Sequence, residues 1–147
     1  GEVSNENPKI KYALKTLILR YLINGQGVDS TGEYKHYRDV KDGNIYFANF
    51  NGRCQLRLSK TFKNKENLFI EAAEKLKGRH ISFGDHGFTF SFLPKIDVYV
   101  VLWSGDEEFP PEAQILFSDN VEYYFTAEDL AFVGDTINDR LAEKAFS

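Results

Sequence analysis

At 147 residues the chain has room for one domain and is too short for two ordinary ones. Hydrophobic residues make up 42% and aromatics 15%, with 13 Phe and 8 Tyr, so a packed core is available without covalent staples. A net charge of −4, with Lys and Arg dispersed, argues against a nucleic-acid partner, and Cys54, the single cysteine, rules out an internal disulfide and thiolate metal motifs and suits a reducing, cytoplasmic setting.

The chain opens on Gly1 in place of an initiator methionine. Residues 1–7 are polar, show no signal-peptide pattern and are expected to be tag-derived or disordered, with the natural protein extending further upstream. A first helix follows: Asn7 is placed to cap it, Pro8 suits its first turn, and Asn24 and Gly25 stop it. Ile10, Ala13, Leu14, Leu17, Ile18, Tyr21 and Leu22 recur at helical spacing, beside a basic flank of Lys9, Lys11, Lys15 and Arg20 that reads as a solvated face. Residues 25–43 carry turn signals and little periodicity, as a structured loop does. Over 45–62 two patterns compete. Tyr46, Phe50, Cys54, Leu58 and Phe62 fall every fourth residue, as in a helix, whereas Cys54, Leu56 and Leu58 alternate, as in a strand. The longer series favours the helix. Another helix follows, capped by Asn64 and ended by Gly78, with Leu68, Phe69, Ala72, Ala73 and Leu76 on its core face.

The period then changes to two. Ile81 and Phe83 lead into a turn over 84–87, and Phe88, Phe90 and Phe92 return on one face as a hairpin. Residues 96–103 are apolar enough for a central strand covered on both faces, yet far too few to span a membrane. After a loop with Pro110 and Pro111, residues 115–117 form a strand antiparallel to it. A last helix begins at Thr126 and Asp129, a near relative of the capping box, with Phe125 and Leu130 placed as a staple and Leu130, Val133, Ile137 and Leu141 as the buried stripe. Strands segregated from helices mean α+β: a small antiparallel sheet from the C-terminal half against about four helices.

Candidate chemistry is sparse. Asp106, Glu107 and Glu108 offer the oxygen ligands that Mg²⁺ or Ca²⁺ takes, or a general acid and base. Consecutive loop residues diverge, however, and no EF-hand spacing surrounds them, so a solvated connection is the plainer reading. Asp85 and His86 could form a base pair or ligate a metal, but glycines on both sides are what a tight turn requires. Trp103, at the junction of strand and acidic loop, either caps the core or walls a pocket. Cys54, on an apolar helical face, reads as a small buried hydrophobe. The candidate ligand pocket is therefore Trp103, Asp106, Glu107, Glu108, Asp85 and His86, with no metal or cofactor assigned.

Leu93-Pro94, the run Trp103-Ser104-Gly105-Asp106-Glu107-Glu108-Phe109-Pro110-Pro111, and Ile115-Leu116-Phe117 carry a resemblance, together with Glu128-Asp129-Leu130, Thr31-Gly32-Glu33 and Gly84-Asp85. Over 14–141 the chain resembles the family known as domain of unknown function 3786. The resemblance implies a protein of anaerobic bacteria and archaea with no established activity. Some relatives join this domain to an iron–sulfur-binding segment, absent here, which implies a corrinoid or one-carbon enzyme system. Where relatives have Asp after the Leu-Phe pair, this chain has Ser118 and then Asp119. The leading expectation is a non-enzymatic accessory or protein-interaction domain linked to anaerobic corrinoid or iron–sulfur metabolism. The rivals are a small enzyme or ligand-binding protein using the acidic loop, and a homo-oligomeric structural protein with an aromatic interface.

Overall fold

The computed structural model describes residues 8–25 and 27–147, with the side chains of 8–10 and 13 outside that description. The first helix, α1 (Pro8–Asn24), has the predicted extent; its expected cap Asn7 lies outside the described residues. Of its apolar positions Leu17 is buried and Leu14 and Tyr21 are half-buried, while Ile18 and Leu22 face solvent. Arg20, 3.9 Å from the Asp129 carboxylate, Asn24, which donates to the Tyr124 carbonyl at 3.2 Å, and the ring of Tyr21 help to hold the helix. That ring stacks on Tyr124 with centroids 5.2 Å apart, and its hydroxyl donates to the Pro94 carbonyl at 2.9 Å.

The stretch expected as loop contains a two-residue strand, β1 (Tyr34–Lys35), and a 3₁₀ turn (Tyr37–Asp39). Tyr37 fixes that turn: its ring stacks on Phe50 at 4.0 Å and its hydroxyl donates to the Ala127 carbonyl at 2.9 Å. Residues expected as helix are helical. The helix α2 (Gly43–Phe50) runs through a π-helical stretch (Asn51–Leu56) into α3 (Arg57–Thr61) without a break. Phe50, Cys54, Leu58 and Phe62 are all at most 1% exposed. A repeat of four drifts about 40° per step on an α-helix of 3.6 residues per turn, and a wider i→i+5 turn removes that drift. The four-residue spacing thus calls for the π stretch.

The next helix, α4 (Glu66–Lys75), starts later than expected. Asn64 does not cap it but sits at φ 58°, a left-handed position that asparagine tolerates, and the N-cap Lys65 makes no side-chain cap. The strands β2 (Arg79–Ile81), β3 (His86–Leu93), β4 (Ile96–Trp103) and β5 (Glu112–Ser118) then form a meander. With β1 they make a five-stranded antiparallel sheet in the order β1-β5-β4-β3-β2, so β4 is central as expected. The closing helix α5 (Ala127–Phe146) carries the full capping box: Thr126 accepts from the Asp129 N–H, and Asp129 accepts from the Thr126 N–H. The fold is α+β.

Alternation along the strands divides the sheet. Ile96, Val98, Val100, Leu102, Ala113, Ile115 and Phe117 point into a core completed by α4, α5 and the α2–α3 rod. The tightest joint there is between α5 and the π stretch. A Cβ on Gly134 would stand 2.6 Å from the Cys54 sulfur, and Asn138 donates to the Cys54 carbonyl at 2.9 Å. Gln55 accepts the Ile115 N–H at 3.0 Å, satisfying a donor of β5 beyond the reach of two-residue β1. At the other end of β5, Ser118 accepts from the Asp97 N–H at 3.1 Å and donates to Asn120 at 2.7 Å. Asn120 in turn donates to the Val28 and Lys95 carbonyls, each at 2.8 Å.

Gly134→Ala is expected to destabilise the fold by about 1–3 kcal/mol, because overpacking outweighs the roughly 1 kcal/mol gain in helix propensity. Urea unfolding checks this. Combined with Cys54→Ala, which removes the opposing sulfur, it should cost less than the sum of the two single changes.

Candidate functional site

The acidic loop is built to hold itself. One oxygen of Asp106 accepts from the Glu108 N–H at 2.8 Å and the Phe109 N–H at 2.7 Å, while the Asp106 N–H donates to the Phe109 carbonyl at 2.8 Å. That is a side-chain-closed turn, the local role aspartate plays in loops. Glu107 and Glu108 are exposed on it. Asp85 does the same work across two segments: it accepts from the Ser104 N–H at 2.8 Å, and its own N–H donates to the Leu102 carbonyl at 3.1 Å. The β2–β3 turn is thereby sewn to the exit of β4. Gly84 permits the approach, with φ +68° and a hypothetical Cβ only 2.5 Å from Val101.

Of the sequence-predicted residues, the structure brings Asp85 and Trp103 to one place, where β4 leaves the sheet, and leaves Asp106 closed within its own turn. His86 sits opposite Leu102 in the β3–β4 ladder, half-buried. Among the described residues no three His, Cys, Asp or Glu side chains are grouped to hold a metal ion. Asp119 and Asp129 follow the same pattern as Asp85 and Asp106. Asp119 accepts from the Thr31 N–H at 3.0 Å, from the Ser30 hydroxyl at 2.9 Å and from the Thr31 hydroxyl, while Asp129 closes the helix cap. The aspartates of the motifs act as acceptors for backbone N–H groups that would otherwise be unpaired.

What these turns surround is the face of the sheet opposite the main core, which no helix covers among the described residues. Tyr99, Val101 and Trp103 point there from β4, opposite Leu116, Gln114 and Glu112 of β5, and Tyr34 joins from β1 opposite Ser118. Val101 and Leu116 are fully buried although outside the main core. Aromatic side chains shelter them. Tyr34 lies 5.3 Å from Phe83 and 6.1 Å from Tyr99 between ring centroids, Phe83 meets Trp103 edge-on at 5.8 Å, and His36 meets Tyr34 edge-on at 5.8 Å. Phe83, Tyr99 and Trp103 are half-buried, and Tyr34 and His36 are exposed. Burial, then the nearby Asp97 carboxylate, pushes the Tyr99 phenol above its usual range. Trp103 does not cap the helix-side core; it is the end of this aromatic row. Sequence reasoning missed Tyr34, His36, Phe83 and Tyr99, although Tyr99 and Trp103, four residues apart and so on one face of a mostly aliphatic strand, were the available signal.

The buried thiol offers no chemistry. Burial, reinforced by Asp135, pushes Cys54 up to about 12, and its sulfur is packed against Ala131 and Gly134. Burial likewise pushes Tyr37 up to about 12. The site can cover apolar area with rings, two of which, Tyr34 and Tyr99, carry hydroxyl tips.

Thr31 holds Asp119 below the ordinary carboxylate value of 3.8, through its hydroxyl first and its N–H second. A depressed carboxylate contributes stability that is full above the unfolded-chain pKa and lost as pH falls through the lower folded value. Asp119→Ala should therefore lower the melting temperature at neutral pH, and its gap from wild type should narrow as the pH drops below about 4. Thermal unfolding across that range checks it.

No curated protein and no solved structure matches the chain. Among the described residues no helix is long and apolar enough to cross a membrane. The family model described as Domain of unknown function (DUF3786) matches residues 1–140, nearly the whole sequence, and the chain belongs to that family.

Proposed function

We propose that this chain is a non-catalytic, cytoplasmic accessory module that docks a protein partner on the aromatic, helix-free face of its sheet. The observation that carries the reading is the row Tyr34, Phe83, Tyr99 and Trp103, four neighbouring rings left partly open to solvent on the side of the sheet away from the main core. Aromatic residues with polar tips are the side chains enriched at protein interfaces. A fully covered ring buries about 150–250 Å². Completing the burial of four half-covered rings would supply about half of one partner's share of a standard interface, about 800 Å². The pinned turns at 84–85, 104–109 and 30–32 give that face a fixed rim, which lowers the ordering cost of binding. The family resemblance supplies the setting: a redox or one-carbon system of anaerobic metabolism, with a corrinoid or iron–sulfur protein as the partner.

Carboxylates committed to backbone N–H groups weigh against the acidic loop as a catalytic device. Tyr34→Lys combined with Tyr99→Lys tests the docking face, since both side chains lie on it and neither belongs to the main core. Used as bait in extract of an anaerobic host, the wild-type chain should retain a reproducible partner that the double variant loses, with the two melting alike. Retention of the same partner by both, or recovery of none by either, contradicts the reading. A wild-type chain that is dimeric in solution, and monomeric when doubly substituted, would assign the face to a second copy.

A further inference from the structure

A separate concavity of about 330 Å³ opens beside the aromatic face, where the 3₁₀ turn Tyr37–Asp39 meets α2 and β5. Its walls are polar and carry opposite charges: His36, Arg38 and Asp39 come from the turn, and Gln55 and Gln114 from the π stretch and β5. The Arg38 guanidinium carbon lies over the Phe47 ring, 3.8 Å from its centroid. A cation–π contact of this kind holds the side chain in place and leaves N–H donors for a planar acceptor. Among the described residues no carboxylate is ion-paired with Arg38, although Asp39 is its neighbour in sequence and lines the same pocket.

The surroundings are rigid. Tyr37 anchors the backbone between His36 and Arg38 through its stack on Phe50 and its bond to Ala127. Gln55, 8% exposed, is locked by the Ile115 N–H at 3.0 Å and by donation to Asn51 at 2.9 Å. A cation held over a ring, an adjacent anion and side-chain amides in a pocket of this size match a small molecule that carries both charges. A simple anion would meet Asp39, and a simple cation would meet Arg38.

We propose that this pocket binds a small zwitterion of the α-amino-acid type, its carboxylate on the edge of Arg38 and its ammonium on Asp39. The site borders the docking face and shares His36 and Gln114 with it, but Arg38 and Asp39 are not part of the aromatic row, and its test does not depend on that face having a partner.

The common α-amino acids, added singly to the full chain, should include at least one that shifts the backbone amide resonances of residues 36–39, Phe47 and Gln114 saturably. Its dissociation constant is expected below about 1 mM. Acetate, inorganic phosphate and methylammonium should each bind at least about tenfold more weakly. Arg38→Gln and Asp39→Asn should each weaken the amino acid about tenfold or more, and Arg38→Lys should fall between Arg38→Gln and wild type because it keeps the charge without the fork. Amide spectra of the variants show that the fold is kept. The proposal is overturned if no amino acid gives saturable shifts, if acetate or phosphate binds as well as the best amino acid, or if folded Arg38→Gln binds unchanged.

Discussion

Cys54 and Gln55, in the middle of the π-helical stretch Asn51–Leu56, are where the helical layer and the sheet are joined. Widening the turn there lets two consecutive residues, Cys54 and Gln55, both be buried. The first meets α5, where Gly134 leaves room for the sulfur and Asn138 takes up the Cys54 carbonyl. The second meets β5, where its amide stands in for a missing strand at the Ile115 N–H. Arg53 and Arg57, on the same rod, pair with Asp135 and Asp139 of α5 at the margin of the joint. Exposed pairs of this kind add little stability but fix register. The energy lies in the glycine-to-cysteine packing and in the buried amides, whose polar atoms are satisfied within the joint.

With the helices committed to one side, the opposite face of the sheet has to manage its own apolar residues. Among the described residues, Val101 and Leu116 lie buried beside rings from β1, β4 and the β2–β3 turn, and Gly84 packs close on Val101. Those rings sit on segments tied down by aspartates: Asp85 at the turn, Asp106 beyond Trp103, and Asp119, just after β5, which holds Thr31 ahead of β1. Asp106, which looks like a metal ligand in the sequence, staples backbone in the folded loop, while Glu107 and Glu108 stand exposed beside it. The same staples give the aromatic face a defined shape, and this links the family's motif to the proposed role without assigning chemistry to the motif.

Much of the architecture was legible. The change from a 3.6 to a 2.0 period separated α4 from the meander, and Thr126 with Asp129 located the start of α5 to the residue. The repeat of four from Phe50 to Phe62 identified a helix, and read closely it also carried the mark of the π stretch. Less visible were features that depend on partners distant in sequence. The strand β1 exists because β5 offers an edge at Phe117 and Ser118, and no local pattern in Tyr34–Lys35 announces it. Asn64 resembled a cap but was needed at a left-handed position instead. Of the candidate residues, Trp103 and Asp85 lie near one another in the fold, whereas Tyr34, Phe83 and Tyr99 become neighbours only through the folded sheet. The acidic residues drew attention because charge is conspicuous in a sequence; that their acceptors face backbone N–H groups is a property of the folded loop.

The central claim is that the helix-free aromatic face is a surface meant to be covered. Hydroxyl-radical footprinting of the chain, alone and bound to a captured partner, tests it most directly. The account predicts that oxidation of Tyr34, Phe83, Tyr99 and Trp103 falls on binding while the exposed rings Tyr12 and Phe132, which lie off that face, stay reactive. Unchanged oxidation of those four rings, with protection appearing at Tyr12 or Phe132, would contradict it.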